Sequence, residues 1–280
     1  KRLARGALSA HFVSRRYGEL IASLVVLPSA AAPTVGADAD DAGVGSPGLK
    51  AKGSPMSRTS SAQQGGMLVA ASLGIAGGGE AMLAQDLSLL RSGMTGLLER
   101  LAGTLASVRE RRVFLINNFD CILSLLRERK VGMCDEATRM ESLLHQQKEL
   151  YTEEELKQSF SKLTSFVVQT EKSLADAQAT NSANKLTLDP TMVENLVKEF
   201  ASTWRVAIQS IHDNVIGYFG DNRNGMEVLK QVLTQMLLYY SRFQDLIKKA
   251  WSGGKTPSFA RDIVGTSTIL MEIKRYSRVT

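Results

Sequence analysis

The sequence predicts an all-α protein, an elongated bundle of long antiparallel helices. Three observations carry that prediction. Aromatic residues make up only 6% of the 280 residues while Leu, Ala, Glu, Lys, Gln and Met recur, a usage that favours helix over strand. Apolar residues step by three or four positions over long spans, the period of one buried helix face. Several of those spans are bounded by capping residues, prolines or glycines. A hydrophobic share of 44% and a charged share of 22% are ordinary for a chain that buries a core.

Taken in order, residues 3–27 place Leu8, Phe12, Tyr17, Leu20, Ile21 and Leu24 near helical spacing, and Pro28 is expected to end that helix. From there to about Gly79 the composition shifts to Ala, Gly, Ser and Pro, most clearly in AAAPTVGADADDAGVGSPGLKAKGSP. Such a stretch cannot bury enough apolar surface to offset chain entropy, so 28–82 is expected to be a disordered insertion. Residues 83–280 are expected to form the C-terminal helical-bundle domain, to which the helix of 1–27 belongs.

Leu83, Leu87, Leu90, Met94, Leu97, Leu101, Leu105 and Val108 restart the helical period, which continues through VFLINNFDCILSLLRER. One long helix or two collinear ones fit that spacing. Gly132 and Asp135 mark a break, and EATRMESLLHQQKEL then predicts a short polar helix. Thr152 and Glu155 match a T-x-x-E capping box, predicted to open a helix along Leu156, Phe160, Leu163, Val167 and Leu174. The polar stretch DAQATNSANK, 176–185, follows as a loop.

Asp189 and Pro190 supply an N-cap and a first-turn proline. Behind them Val193, Val197, Phe200, Trp204, Ile208, Ile211, Val215 and Tyr218 form an amphipathic line that Gly220 stops. The turn GDNRNG leads to a second line through Met226, Leu229, Leu233, Met236, Leu237, Tyr240, Phe243 and Ile247. The pair predicts an antiparallel helical hairpin. Thr256 and Pro257 are expected to start the last helix, with Ile263, Ile269, Leu270, Ile273 and Tyr276 inward.

Charge and composition exclude more than they assign. The net charge is +6, concentrated at the two ends. Lys1 to Leu27 holds five basic residues against Glu19, and Arg242 to Thr280 holds eight against Asp245, Asp262 and Glu272. Basic ends, including Lys274, Arg275 and Arg278, form a possible contact surface for anionic membrane or nucleic acid, but no nucleic-acid-binding fingerprint accompanies them, and no nucleic-acid partner is expected. Only Cys121 and Cys134 are present, which suits a reducing compartment. The longest apolar runs, Leu20 to Leu27 and Met67 to Ala76, fall short of the ~18 residues of a membrane span, so a soluble chain is expected. It opens on Lys1 rather than Met, as expected of a fragment of a longer protein.

No catalytic, cofactor or metal site is predicted. GGKT at 253–256 resembles the end of a phosphate-binding loop, but Lys249 stands where another glycine is needed and a helix rather than a strand precedes it. His11, His145 and His212 are far apart and lack a second ligand at metal-binding spacing. His212 and Asp213 are adjacent on a helix and are expected to face apart. Trp204 and Trp251 fit a core role better than an interface anchor.

The stretch VFLINNFD, 113–120, sets polar groups in an apolar run. On a helix Phe114, Asn118 and Ile122 share one line, while Asn117, Asp120 and Ser124 share another flank. Asn118 then looks into the core, where an unpartnered amide costs about 1–3 kcal/mol. It is expected either to bond across to a neighbouring helix or to cap a helix restart with Asp120 in the first turn. Both roles fix register or angle between helices.

Three runs, RRVFLINNFDCILSLLRER, FASTWRVAIQSIHDNVIGYFGDNRNGMEVLKQVLTQMLLYYSRF and ILMEIKRY, together with HFVSRRYGELIASL, resemble the C-terminal region of the vacuolar protein sorting-associated protein 52 family. The resemblance covers most of the chain outside about 28–82. It implies a helical rod of the multisubunit tethering class and a non-enzymatic subunit shared by the GARP and EARP complexes. It further implies vesicle capture in retrograde endosome-to-Golgi transport, at the cytoplasmic face of the trans-Golgi network and endosomes. Sister tethering subunits, SNAREs and a Golgi Rab GTPase are the implied partners, with peripheral membrane association; no cofactor is implied. The family's runs fall on Phe114, Asn117, Asn118 and Asp120, on Trp204, and on Asn222, Arg223, Asn224 and Gly225, all expected to be structural. The family's N-terminal coiled-coil portion, expected to assemble with the sister subunits, is not in this sequence.

Overall fold

The computed structural model describes residues 5–30, 78–179, 187–219, 223–252 and 257–277. Every regular element among them is helical: α1 (Arg5–Leu8), α2 (Phe12–Ala30), α3 (Gly78–Gly103), α4 (Val108–Glu128), α5 (Asp135–Ser159), α6 (Ser161–Ala179), α7 (Pro190–Phe219), α8 (Arg223–Ala250), a 3-10 helix (Ser258–Asp262) and α9 (Thr266–Ser277). The all-α class is as predicted. The chain divides into two compact units, Lys1–Val26 with Gly96–Thr280, and Leu27–Thr95. Residues 31–77, the body of the predicted insertion, lie outside the described residues. Its last residues, 78–82, are helical within α3, so helix begins earlier than the expected Leu83.

Side-chain pairs give the helix directions. Arg112 meets Gln147 and Arg127 meets Glu141, so α4 and α5 run antiparallel. Phe200 stacks on Tyr240 with ring centroids 4.1 Å apart, and α7 and α8 form the predicted antiparallel hairpin. Near the N-terminus the direction differs from the all-antiparallel expectation. Ser14 reaches Asn118, and one turn on Gly18 faces Leu125, so α2 lies parallel to α4. A Cβ on Gly18 would stand 3.0 Å from Leu125 Cδ1 and 3.2 Å from its Cβ, so a larger residue there would require the Leu125 side chain to give way by a few tenths of an ångström.

The core of the larger unit lies between α4, α5, α6, α7 and α8. Trp204, Tyr151, Tyr240, Phe243, Ile116 and Ile122 are among its fully buried side chains, each worth about 1.5–3 kcal/mol of transfer free energy. Edge-to-face pairs, Phe166 with Phe243 and Tyr151 with Phe219, lock α6 to α8 and α5 to α7.

Several predicted boundaries are corrected. The first helix is broken into α1 and α2 at Ser9–His11, and α2 runs past Pro28 to Ala30. α3 and α4 are separate because Ser107 caps α4: its hydroxyl accepts from the Glu110 N–H, while the Glu110 carboxylate accepts from the Ser107 N–H. The capping box expected at Thr152 and Glu155 does not form. Both residues lie inside the 25-residue α5, which is much longer than the short helix predicted, and the break falls at Phe160. Glu155 is drawn instead to partners on other helices, described below. α4 ends with Lys130 at φ 59°, a left-handed residue followed by a Val131 N–H donating to the Leu126 carbonyl at 2.9 Å; this is a Schellman closure carried by lysine in place of glycine.

The last helix starts at Thr266 rather than at Pro257. Phe259 of the 3-10 helix is buried edge-on against Trp251. The Val264 carbonyl then accepts from Tyr240 Oη at 2.9 Å and Gln244 Nε2 at 3.1 Å, which holds residues 263–265 out of helix. Burial pushes the Tyr240 phenol up to about 12. The predicted loop 176–185 begins as helix, since α6 reaches Ala179; residues 180–186 lie outside the described residues.

Candidate functional site

The polar stretch of α4 works on the break between α1 and α2. Asn118, fully buried, accepts on Oδ1 from the His11 N–H at 2.8 Å and from Ser14 Oγ at 2.6 Å, and its Nδ2 donates to the Phe114 carbonyl at 2.7 Å. Asn117 Nδ2 donates to the Leu8 carbonyl at 2.8 Å. One asparagine thus supplies an acceptor at the first turn of α2, and its neighbour a donor at the last turn of α1, the groups a helix cannot satisfy within itself. Of the two roles expected for Asn118, the structure has the bond across helices; α4 is continuous and does not restart there. Phe114 is buried on the same line.

Trp204 is buried in α7, and the Arg205 guanidinium lies 4.6 Å from its ring centroid. A second polar group sits among α4, α5 and α7. Arg109 Nη2 stands 2.9 Å from Glu155 Oε2, Asn214 Nδ2 donates to Glu155 Oε1 at 2.9 Å, and Glu155 is 1% exposed. Sequence reasoning missed this cluster. Its signal is a charge on an apolar line: Met140, Leu144, Lys148, Tyr151 and Glu155 recur at steps of three and four, and all are buried. Lys148, on the same line, donates to Glu227 Oε2 of α8 at 3.0 Å.

The structure brings two of the singled-out runs together. Asp120, Ser124, Arg127 and Glu128 of α4 and Arg223 and Asn224 of α8 line a recess of about 420 Å³. Burial raises the Asp120 carboxyl above its ordinary pKa, while Lys148, Arg223 and Arg127 pull it the other way. Arg223 is exposed and 3.7 Å from Glu227, and Arg127 is 3.4 Å from Glu141, both loose pairs. Asn224 is 5% exposed, and its Oδ1 has no hydrogen-bond partner among the described residues. Gly225 is buried beside it; Asn222 lies outside the described residues.

The remaining candidates are dispersed. Lys274 and Arg275 are exposed on α9, where Arg275 is held by Glu272 at 3.0 Å; Arg278 lies outside the described residues, as does GGKT at 253–256. His212 and Asp213, expected to face apart, touch: Nδ1 and Oδ1 are 3.1 Å apart. The imidazole also lies 4.9 Å from the Tyr276 ring, and Tyr276 Oη donates to Gln209 at 2.7 Å. These contacts seat α9 on α7. Among the described residues no group of three or more His, Cys, Asp or Glu could hold a metal ion, and no helix is long and apolar enough to cross a membrane.

Long helices whose buried polar groups bridge from helix to helix define the class: an all-α helical-bundle domain. A family model described as "Exocyst complex component Sec3, C-terminal" matches residues 106–253, more than half of the chain, and the chain belongs to that family. The resemblance to protein 52 is also shown by its relatives. The chain is 34% identical over 200 residues to vacuolar protein sorting-associated protein 52 A of Arabidopsis thaliana, covering 71% of this chain and 27% of that protein. Protein 52 B of the same plant matches at the same identity and coverage. The Homo sapiens homolog is 28% identical over 192 residues, 69% of this chain and 26% of that protein. The chain spans about a quarter of the length of the curated relatives it matches. No solved structure matches it.

Proposed function

We propose that this chain is part of a non-enzymatic subunit of a vesicle-tethering complex and serves there as a protein-interaction scaffold. The observation that carries the reading is the similarity to protein 52 over 71% of the chain, together with a family model named for an exocyst component over the helical bundle. In this reading the subunit acts in retrograde endosome-to-Golgi transport and endocytic recycling. It sits as a peripheral protein on the cytoplasmic face of the trans-Golgi network and endosomes. Its partners are sister GARP and EARP subunits, SNAREs and a Golgi Rab GTPase. The packing supports a scaffold: the polar side chains that sequence singled out, Asn117 and Asn118 foremost, are spent on helix-to-helix bonds.

The test is acute depletion of the full-length protein in its own cells, following a receptor that cycles between endosomes and the Golgi. The reading expects the receptor to accumulate in dispersed endosomal carriers and to return on re-expression. Unchanged receptor retrieval after complete depletion would sink it.

A further inference from the structure

α9 is seated on the bundle by one face. Ile269 is buried, Thr266 Oγ1 donates to Gln244 Oε1 at 3.3 Å, and Tyr276 Oη donates to Gln209. The opposite face carries Ser267, Leu270, Met271, Lys274 and Arg275, all exposed. At ~100° per residue these five fall in one sector of about 140°. Leu270 is 40% and Met271 63% exposed, side by side, and the two cations follow one turn on. The single acidic residue of α9, Glu272, lies on the flank of that sector and holds Arg275 at 3.0 Å. α2 also shows exposed Phe12, Leu20, Arg15 and Arg16, but there the apolar pair is two turns apart and both guanidinia meet Glu19 on the same face. Apolar and basic groups without an intervening acid are therefore concentrated on α9. The stretch Arg242 to Thr280 around it holds eight basic residues against three acidic ones.

An acidic protein surface would satisfy Lys274 and Arg275 but set carboxylates against Leu270 and Met271. An apolar protein surface would cover the pair and strip water from two cations with no counter-charge. An anionic bilayer meets both demands at once, because its phosphate layer lies directly over hydrocarbon. Lys and Arg lay their aliphatic stems along apolar surroundings and send their heads up to the phosphates. We propose that the outer face of α9 docks on an anionic lipid surface, with Leu270 and Met271 at the acyl boundary and Lys274 and Arg275 among the headgroups. The contact is that of a helix lying in the interface plane, and no helix among the described residues is long and apolar enough to cross a membrane. The hydrogen bonds to Gln244 and Gln209 hold α9 with this face outward. The inference names a surface for the peripheral membrane association in the tethering reading and rests on that reading for which membrane is met. Purified vesicles test the surface without sister subunits, so either can fail alone.

The experiment is co-sedimentation of the full chain with phosphatidylcholine vesicles, with and without phosphatidylserine. Binding is expected only with phosphatidylserine and is expected to weaken as salt rises. Lys274→Ala should weaken it about fivefold, the worth of one basic residue at such a surface. Met271→Gln should weaken it about tenfold, through apolar area no longer withdrawn from water. Arg15→Ala with Arg16→Ala, on α2, should leave binding in place, and far-UV circular dichroism of each variant separates lost binding from lost fold. Insertion is read directly with Met271→Trp: lipid brominated on its acyl chains should quench this variant more than the parent, which has Trp204 and Trp251 alone. Failure to bind phosphatidylserine vesicles would overturn the proposal, as would equal binding to neutral ones. So would binding that is lost on the α2 substitutions and kept on both α9 substitutions. A dimer in analytical ultracentrifugation that Met271→Gln dissociates would also overturn it, since a second copy would then cover this face.

Discussion

Asn118 shows at the scale of one residue how a buried polar group specifies a fold. Its Oδ1 takes two donors from a chain segment more than a hundred positions away. Replacing it with alanine leaves the His11 N–H and the Ser14 hydroxyl without their acceptor. Asn118→Ala should therefore lose about 1–3 kcal/mol in urea unfolding, with the amides of 11–14 exchanging faster than those of α7. Asp120, two positions on, works in the opposite sense. Its folded pKa is raised by burial, so the native state holds the proton to higher pH than the unfolded chain does. The associated stability is present at low pH and is lost as pH rises through the folded pKa. Asp120→Asn is accordingly expected to be more stable than the parent at pH 7 in thermal melts. That advantage should shrink as pH falls through the raised value and be gone below the ordinary carboxylate range. An advantage constant from pH 7 down to pH 3 would contradict the burial of this carboxyl.

Between elements, the Arg109–Glu155 pair with Asn214 ties the start of α4 to the end of α5 and the last turns of α7. Glu155 is out of water, so removing its cation leaves an uncompensated charge. Arg109→Met should cost about 3–5 kcal/mol, while the double variant Arg109→Met with Glu155→Leu should recover most of that loss. Chemical denaturation of the two proteins measures both. The same pair explains which boundaries were legible in the sequence and which were not. Asp189 with Pro190 marked the start of α7, because those signals act within one turn. Thr152 and Glu155 fit the capping pattern equally well, yet the chain stays helical through them because Glu155 is claimed from other helices. The break at Ser9–His11 was illegible for the converse reason: the groups that stabilise it, Asn117 and Asn118, lie in α4.

At the scale of the whole molecule the fold class was legible because apolar period survives averaging over thirty-residue helices such as α7. The placement of polar residues was not. Periodicity put Asn118 and Trp204 in the core, but nothing local foretold that Asp120 and Arg223, about a hundred positions apart, line one recess. Family membership rests on residues 106–253 and the similarity to protein 52 on about a quarter of that protein's length, which leaves the assembly itself as the central claim. Affinity purification of the tagged full-length protein from its own cells, followed by mass spectrometry, tests it most directly. The account predicts that the sister tethering subunits co-purify in near-stoichiometric amounts and remain bound at moderate salt. Recovery of the tagged protein without them, or with only nucleotide-dependent or nucleic-acid-binding partners, would contradict it.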